Sequence, residues 1–272
     1  MTTGGKPLGI ALVSGGMDSL VMAEFCTRES DLALLHVNYG QRTEAKELSC
    51  FHAVAEHLKV PASRRLVADI GYLKRIGGSA LTDGGIDIPN ADLGREGVPV
   101  TYVPFRNAHL VAIAVSWAEV IGAVNIYIGA VAADSSGYPD CRPEFYEAMN
   151  ETIRRGTKEG SGIVVKAPFV HLLKKDIVLM GKSMGVPFER SWSCYREGET
   201  ACGVCDSCAL RLRAFAEAGV PDPLPYETRP FPVDRGGVRH YSLSPKTTRT
   251  GRMNLFRRPS VLDSRREDGE FL

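Results

Sequence analysis

The chain has 272 residues, 44% of them hydrophobic and 24% charged, a composition that suits a globular protein and excludes disorder as a description of the whole. Its 33 Lys and Arg against 32 Asp and Glu leave a formal charge of +1, so no overall basic field marks a nucleic-acid partner. The opening MTTGGKPLGIALVSGG lacks the basic n-region and long apolar run of a secretion signal, and no stretch reaches the roughly 18 apolar residues of a membrane span. The expected location is the cytoplasm.

LGIALV (Leu8 to Val13) reads as a buried parallel strand feeding a tight turn, and a helix is predicted from Asp18 to Arg28. Asp31 to Gly40 gives a second strand. The next segment carries Leu48, Phe51, Val54, Ala55 and Leu58 as a helical stripe, and RRLVADI gives a third strand. Residues 71–100 hold seven glycines with Pro89 and Pro99, a long connection that reads as a functional lid. A buried helix from Phe105 to Ile121, strands at Val124–Val131 and Gly162–Pro168, and helices at Pro143–Arg154 and Leu172–Met184 complete a βα alternation. The predicted fold is α/β, an open parallel sheet with helices on both faces.

Between the first strand and the first helix lies Ser14-Gly15-Gly16-Met17-Asp18-Ser19, the place where an open α/β sheet binds nucleotides. Glycines let backbone N–H groups approach phosphate oxygens, the helix N-terminus adds free donors, and Ser14 and Ser19 add hydroxyls. Asp18 beside phosphates needs a reason: helix capping, Mg²⁺ handling, or both. Neither a Walker A loop nor GxGxxG follows the strand, which argues against the common kinase and dehydrogenase readings.

Seven cysteines with no secretion signal argue against a disulfide framework. Cys194, Cys202, Cys205 and Cys208 cluster with two Cys-x-x-Cys steps, a pattern that wraps one tetrahedral ion, Gly203 easing the turn. Four thiolates saturate structural zinc. Spacing leaves an iron–sulfur cluster or a redox dithiol open. Cys141 reads as a packing residue, and His36 as a satisfied core histidine. Residues 222–272 contain ten Lys or Arg against seven Asp or Glu and six prolines, which reads as an extended or partly disordered tail. The expected division is 1–190 for the nucleotide and substrate domain, 191–221 for the four-cysteine, zinc-binding segment and its helix, and 222–272 for a basic, proline-rich extension.

SGGxDS after the first strand resembles the PP-loop of the N-type ATP pyrophosphatases. The order of SGGMDS, NYGQR (Asn38 to Arg42), SALT (Ser79 to Thr82), VPFRN (Val103 to Asn107), DSSGYPDCRPEF (Asp134 to Phe145) and the segment ending CDSCALR narrows this to the QueC family of the queuosine pathway. The resemblance covers about residues 8 to 220. It implies a Rossmann-like, adenine nucleotide alpha hydrolase-like sheet with a small zinc-binding subdomain. It further implies conversion of 7-carboxy-7-deazaguanine and ammonia to the nitrile with two ATP, each split to AMP and pyrophosphate.

The same resemblance implies ATP binding by Val13, Ser14, Gly15, Gly16, Met17, Asp18, Ser19 and Leu20, with Mg²⁺, and Zn²⁺ on the four cysteines. Asp18, Ser19 and Lys174 are the catalytic candidates. Arg106, Asn107, Tyr138, Asp140 and Arg142 are the substrate-binding candidates: Arg106 to pair with a carboxylate or phosphate, Asp140 to accept from the guanine-like edge, Asn107 alternatively a simple cap. A homodimer is implied, with no membrane and no direct nucleic-acid partner. Two departures stand out, the extension past Pro230 and the side chains Met17 and Leu20. Three other functions fit part of the pattern. A related enzyme would stop at the amide or join another amine, a PP-loop enzyme would modify tRNA with the basic tail, and a zinc-ribbon binding module would ride on a degenerate nucleotide domain. Intact Ser14, Asp18 and Ser19 argue against the last.

Overall fold

The computed structural model describes residues 5–132, 137–229, and the backbone of 231–235 and 238–242. Asp134 to Ser136 of the expected substrate motif, the first four residues and the chain after Ser242 lie outside the described residues.

Strands β1 (Leu8–Leu12), β2 (Asp31–Asn38), β3 (Arg65–Asp69), β4 (Asn125–Ile128) and β5 (Val164–Lys166) form one parallel sheet in the order β3-β2-β1-β4-β5. The helices are α1 (Met17–Cys26), α2 (Glu44–His57), a short α3 (Tyr72–Ile76), α4 (Arg106–Ile121), α5 (Pro143–Gly156), α6 (Lys174–Met184) and α7 (Asp206–Glu217). Alternate strand residues feed opposite cores, as the two-residue period demands. Ala11, Leu32, Leu34 and Tyr127 pack with α1, α2, α6 and α7. Ile10, Leu12, Ala33, Leu35, Ile126 and Ile128 pack with α4 and α5. The expected doubly covered α/β sheet is therefore present.

Successive strands are laid down outward from β1 in one direction to β3 and then in the other from β4 to β5, so the crevice above the C-terminal ends of β1 and β4 is the topological switch point of the sheet. Expected strands run shorter here. β2 stops at Asn38 because the Tyr39 N–H turns to Gln41 Oε1 at 2.8 Å. β4 stops at Ile128 because Gly129 lies against α1, where a Cβ would stand 3.2 Å from the Ser19 backbone. α3 falls inside the glycine-rich connection, where the sequence shows no period; its five residues are too few to display one.

The glycine-rich connection expected as a lid is fastened at both ends of its middle stretch. The Arg42 guanidinium donates to the Asp83 and Ile86 carbonyls at 2.5 Å. Further on, the Ala91 N–H donates to Val204 O, the Asp92 N–H to Asp206 Oδ1, and Arg95 pairs with Asp206 at 3.1 Å.

The expected boundary at Asp222 falls inside a packed unit. Asp222 is buried and accepts both prongs of the buried Arg211 guanidinium at 2.9 and 3.0 Å. Leu224 joins the core of the cysteine segment, and Ala201 bridges to Tyr226. Gly203 (φ +76°) lies so close to Thr228 that a Cβ there would stand 1.6 Å from its carbonyl oxygen. Residues up to Arg229 therefore belong with the cysteines, and composition misleads because prolines and charges here serve contacts to one hub rather than a free tail. Beyond them, β6 (Phe231–Arg235) and β7 (Val238–Ser242) pair antiparallel. No helix of the described residues is long and apolar enough to cross a membrane.

Candidate active site and metal centre

An open cavity of about 280 Å³ occupies the switch-point crevice, near the lower end of the size range for small-molecule sites. On one side stand Val13, Ser14, Gly16, Met17, Asp18 and Ser19, on the other Tyr39, Gln41, Glu47, Arg106, Asn107 and Tyr138, with Lys174, Trp192, Cys194 and Tyr195 closing the rim.

The loop is preorganised. Ser14 Oγ accepts from the Gly16 N–H at 3.3 Å and lies 3.2 Å from Ser19 Oγ, which donates to the Gly16 carbonyl at 2.9 Å. Gly15 takes φ +85° and backs onto α2, where a Cβ would come 2.6 Å from the Glu47 carbonyl oxygen. It therefore shapes the loop from behind without lining the cavity. Leu20 is fully buried in the core beneath and does not line it either. Gly16 occupies the N-cap of α1 with no side-chain cap, which overturns the capping role considered for Asp18. Asp18 instead pairs through Oδ2 with Lys174, and its buried Oδ1 has no hydrogen-bond partner among the described residues. An acceptor left open beside first-turn N–H groups fits a hydrated cation accompanying a phosphate.

Across the cavity, α4 starts from Phe105 in the left-handed region (φ 56°). Its first turn is capped from elsewhere, since Asp140 Oδ2 accepts from the Asn107 N–H at 2.9 Å. Asn107 Nδ2 donates in turn to Asp140 O at 2.8 Å, so Asn107 caps nothing and faces the cavity. Asp140, expected to accept from a purine edge, is buried next to Asn107 and is not among the residues that line the cavity. Arg142 is exposed at the N-cap of α5, also outside it. Arg106 does line the cavity, its guanidinium donating to Tyr39 Oη at 3.2 Å and lying 5.2 Å from the Tyr39 ring. Tyr138 Oη donates to Thr101 Oγ1 at 3.0 Å.

Motif reading does not single out Glu47. Thr43 Oγ1 donates to its Oε1 at 2.5 Å and Gln41 Nε2 to its Oε2 at 3.2 Å. Burial pushes this carboxyl up to about 7, against the lowering effect of those hydrogen bonds and of the Arg106 charge. A signal exists in the pattern: positions 47, 51, 54 and 58 fall at i, i+4, i+7 and i+11, so a carboxylate sits on the buried stripe of α2. His36 is satisfied as expected, by Val13 O at 2.9 Å and Asn38 Oδ1 at 3.0 Å.

The four expected ligands meet. The sulfurs of Cys194, Cys202, Cys205 and Cys208 lie within 4.8 Å of one another and are all buried. Backbone N–H groups of Arg196 and Cys202 point at Cys194 Sγ, and that of Val204 at Cys202 Sγ, at 3.3 to 3.4 Å, the donors thiolates prefer. Cys202 is held below the usual thiol range by hydrogen bonds from Cys194, Cys205 and Cys208, while Cys205 and Cys208 are pushed above it. Without a cation the set cannot ionise together, so the donor chemistry fits a metal ion. The Trp192 backbone N–H donates to the Gly15 carbonyl at 2.8 Å, tying this centre to the loop. Cys205→Ser is expected to lower bound metal below half an equivalent per chain and to reduce soluble yield, because a hydroxyl is a poor replacement for a thiolate; elemental analysis of the purified variant checks it.

The family model "Queuosine biosynthesis protein QueC" matches residues 9–219. A relative from Koribacter versatilis named 7-cyano-7-deazaguanine synthase is 57% identical over 81% of this chain and 93% of its own length. One of the same name from Chlorobium luteolum is 52% identical over 83% of this chain and 99% of its own. Among solved structures, the U34-tRNA thiolase NcsA from Methanococcus maripaludis with its 4Fe-4S cluster is similar at a TM-score of 0.44 and 14% identity, over 78% of this chain and 64% of that one. A likeness at that level says nothing of the chemistry.

Proposed function

The chain belongs to the QueC family of queuosine biosynthesis proteins, and from that premise we propose that it is an ATP-dependent ligase. Its reaction converts 7-carboxy-7-deazaguanine and ammonia to 7-cyano-7-deazaguanine through an adenylated acid and an adenylated amide. The observation that carries this reading is one cavity holding a phosphate loop on one wall and the Arg106 guanidinium on the other.

Arg106 pairs with the substrate carboxylate and turns one oxygen toward the α-phosphorus. That oxygen attacks, and pyrophosphate leaves into the first-turn N–H groups of α1 and the hydroxyls of Ser14 and Ser19. Lys174 neutralises charge on the departing phosphates while Asp18 holds the lysine in place. Mg²⁺ carried in with ATP would offset phosphate charge, with Asp18 Oδ1 as the protein oxygen that fits it. A carboxylate is a poor electrophile until its oxygen carries adenylate; the amide oxygen needs the same activation before it can leave.

Zinc is the metal that four thiolates suit best in a closed structural site. All seven cysteines are free, which fits a reducing compartment such as the cytoplasm. A homodimer remains what the resemblance implies. Incubating the purified protein with 7-carboxy-7-deazaguanine, ATP, Mg²⁺ and ammonium is expected to yield the nitrile by mass spectrometry, with AMP and pyrophosphate. Accumulation of the amide, or of an amine conjugate, would replace the nitrile assignment; ADP and orthophosphate as primary products would rule out adenylation.

A further inference from the structure

Resting on the ligase reaction proposed above, we infer that Glu47 is the residue that takes the protons from the incoming nitrogen. Nitrogen enters as ammonia with three N–H bonds and leaves in a nitrile with none, so three protons must be removed beside the reacting carbon. Attack of ammonia on the acyl adenylate forms a C–N bond, the C–O bond to phosphate breaks with its electron pair going to AMP, and the charged nitrogen gives one proton to the Glu47 carboxylate. In the second round the amide oxygen attacks the α-phosphorus, pyrophosphate leaves, and a second N–H proton is taken as the imidate forms. Loss of the third proton closes the C≡N bond as AMP departs. Between steps Glu47 returns each proton to water through the open cavity.

Placement supports this role. Glu47 lines the cavity from α2, its own backbone lying directly behind Gly15 of the phosphate loop and its carboxyl feeling the charge of Arg106. It thus shares one cavity with the groups proposed to hold phosphate and carboxylate, its backbone against the first and its carboxyl within the field of the second. Its orientation is locked: Thr43 and Gln41 each donate to one oxygen, and Gln41 is itself fixed by the Tyr39 N–H. The charged and titratable groups coupled to it are Arg106 from α4, Tyr39 after β2, and Glu44 and Cys50 on its own helix. Among the described residues that line the cavity, Glu47 and Asp18 are the two carboxylates. No histidine lines the cavity, the other lining carboxylate, Asp18, is paired through Oδ2 with Lys174 and turns its remaining oxygen to the phosphate loop, and burial pushes the Cys141 thiol up. A carboxyl held near neutrality accepts and releases protons at working pH.

The test compares the native chain with Glu47→Gln, reading acid-dependent exchange of pyrophosphate into ATP, and amide and nitrile formation from pH 5.5 to 9. Nitrogen-consuming steps should fall by about 10²-fold or more, exchange by less than tenfold, and the rise in native rate near pH 7 should disappear. Loss of exchange equal to the loss of turnover would overturn the proposal, making Glu47 a binding or positioning group. Turnover equal to native would overturn it as well. A native chain that makes neither amide nor nitrile removes the reaction itself, and the role with it, before any variant is measured. Thermal melting adds a readout apart from activity. Glu47 contributes stability fully below its unfolded value near 4.5 and loses it as pH rises through about 7, so the variant should gain in melting temperature relative to native across that window. Should Glu47→Gln fail to fold, Glu47→Asp supports the proposal by slower turnover that keeps a pH-dependent limb, and overturns it by a pH-independent rate.

Discussion

Asp18→Ala is expected to lower acid-dependent formation of AMP and pyrophosphate by about 10³-fold, in line with removing a group that organises charge in a transition state. The reason is double. The substitution removes the only open carboxylate oxygen at the phosphate loop among the described residues, and it releases Lys174, whose ammonium is held by Asp18 at the mouth of α1. Stability should fall by about 1–3 kcal/mol, too little to unfold the domain, because Gly16 and not Asp18 holds the N-cap position of α1. Single-turnover measurement of adenylate formation checks the first point, and a denaturant titration the second. Retention of a tenth or more of native turnover would remove Asp18 from the reaction.

A chain ending at Pro221 is expected not to yield metal-loaded, folded protein, whereas one ending at Arg229 is expected to keep native metal content and melting. The shorter chain leaves the Arg211 guanidinium, 2% exposed, without the carboxylate that accepts both its prongs. Breaking a buried pair by removing one partner costs about 3–5 kcal/mol, a large share of the roughly 5–15 kcal/mol that holds a domain together. Asp222→Ala isolates that element and should drop the melting temperature by about 6–20 °C. Equal melting of the two shortened chains would show the pair to be dispensable.

Much of the fold is legible in the sequence because parallel strands buried on both faces read as short apolar runs, and the helices between them keep their stripes. The phosphate loop and the metal ligands are legible because each is a local pattern of fixed spacing. What escapes is set by contacts between distant segments. Asp140 carries the polarity of a binding residue, yet its carboxylate serves the first turn of α4. Glu47 shows in the sequence only as a carboxylate on the buried stripe of α2, and that the stripe meets the cavity there depends on how α2 packs. The proline-containing stretch from Asp222 to Arg229 has no periodicity because it packs through a salt bridge, one bridge pair and a glycine contact rather than through a repeating face.

The cysteine hub also sets an order of assembly. It draws together Asp92 and Arg95 from the first half of the chain, the four cysteines, and Asp222 to Thr228 near the end, while the phosphate loop, at residues 14–19, is pinned by Trp192. On the ribosome the N-terminal strands can pair as soon as they emerge, but contacts of such long sequence separation close only after almost the whole chain is made. The nucleotide loop is therefore among the first segments synthesised and among the last to be locked. A nascent chain that has not reached Arg229 would carry a loop of the right sequence without the far wall that fixes it, so competence for chemistry arrives with the last turn of the hub rather than with the sheet.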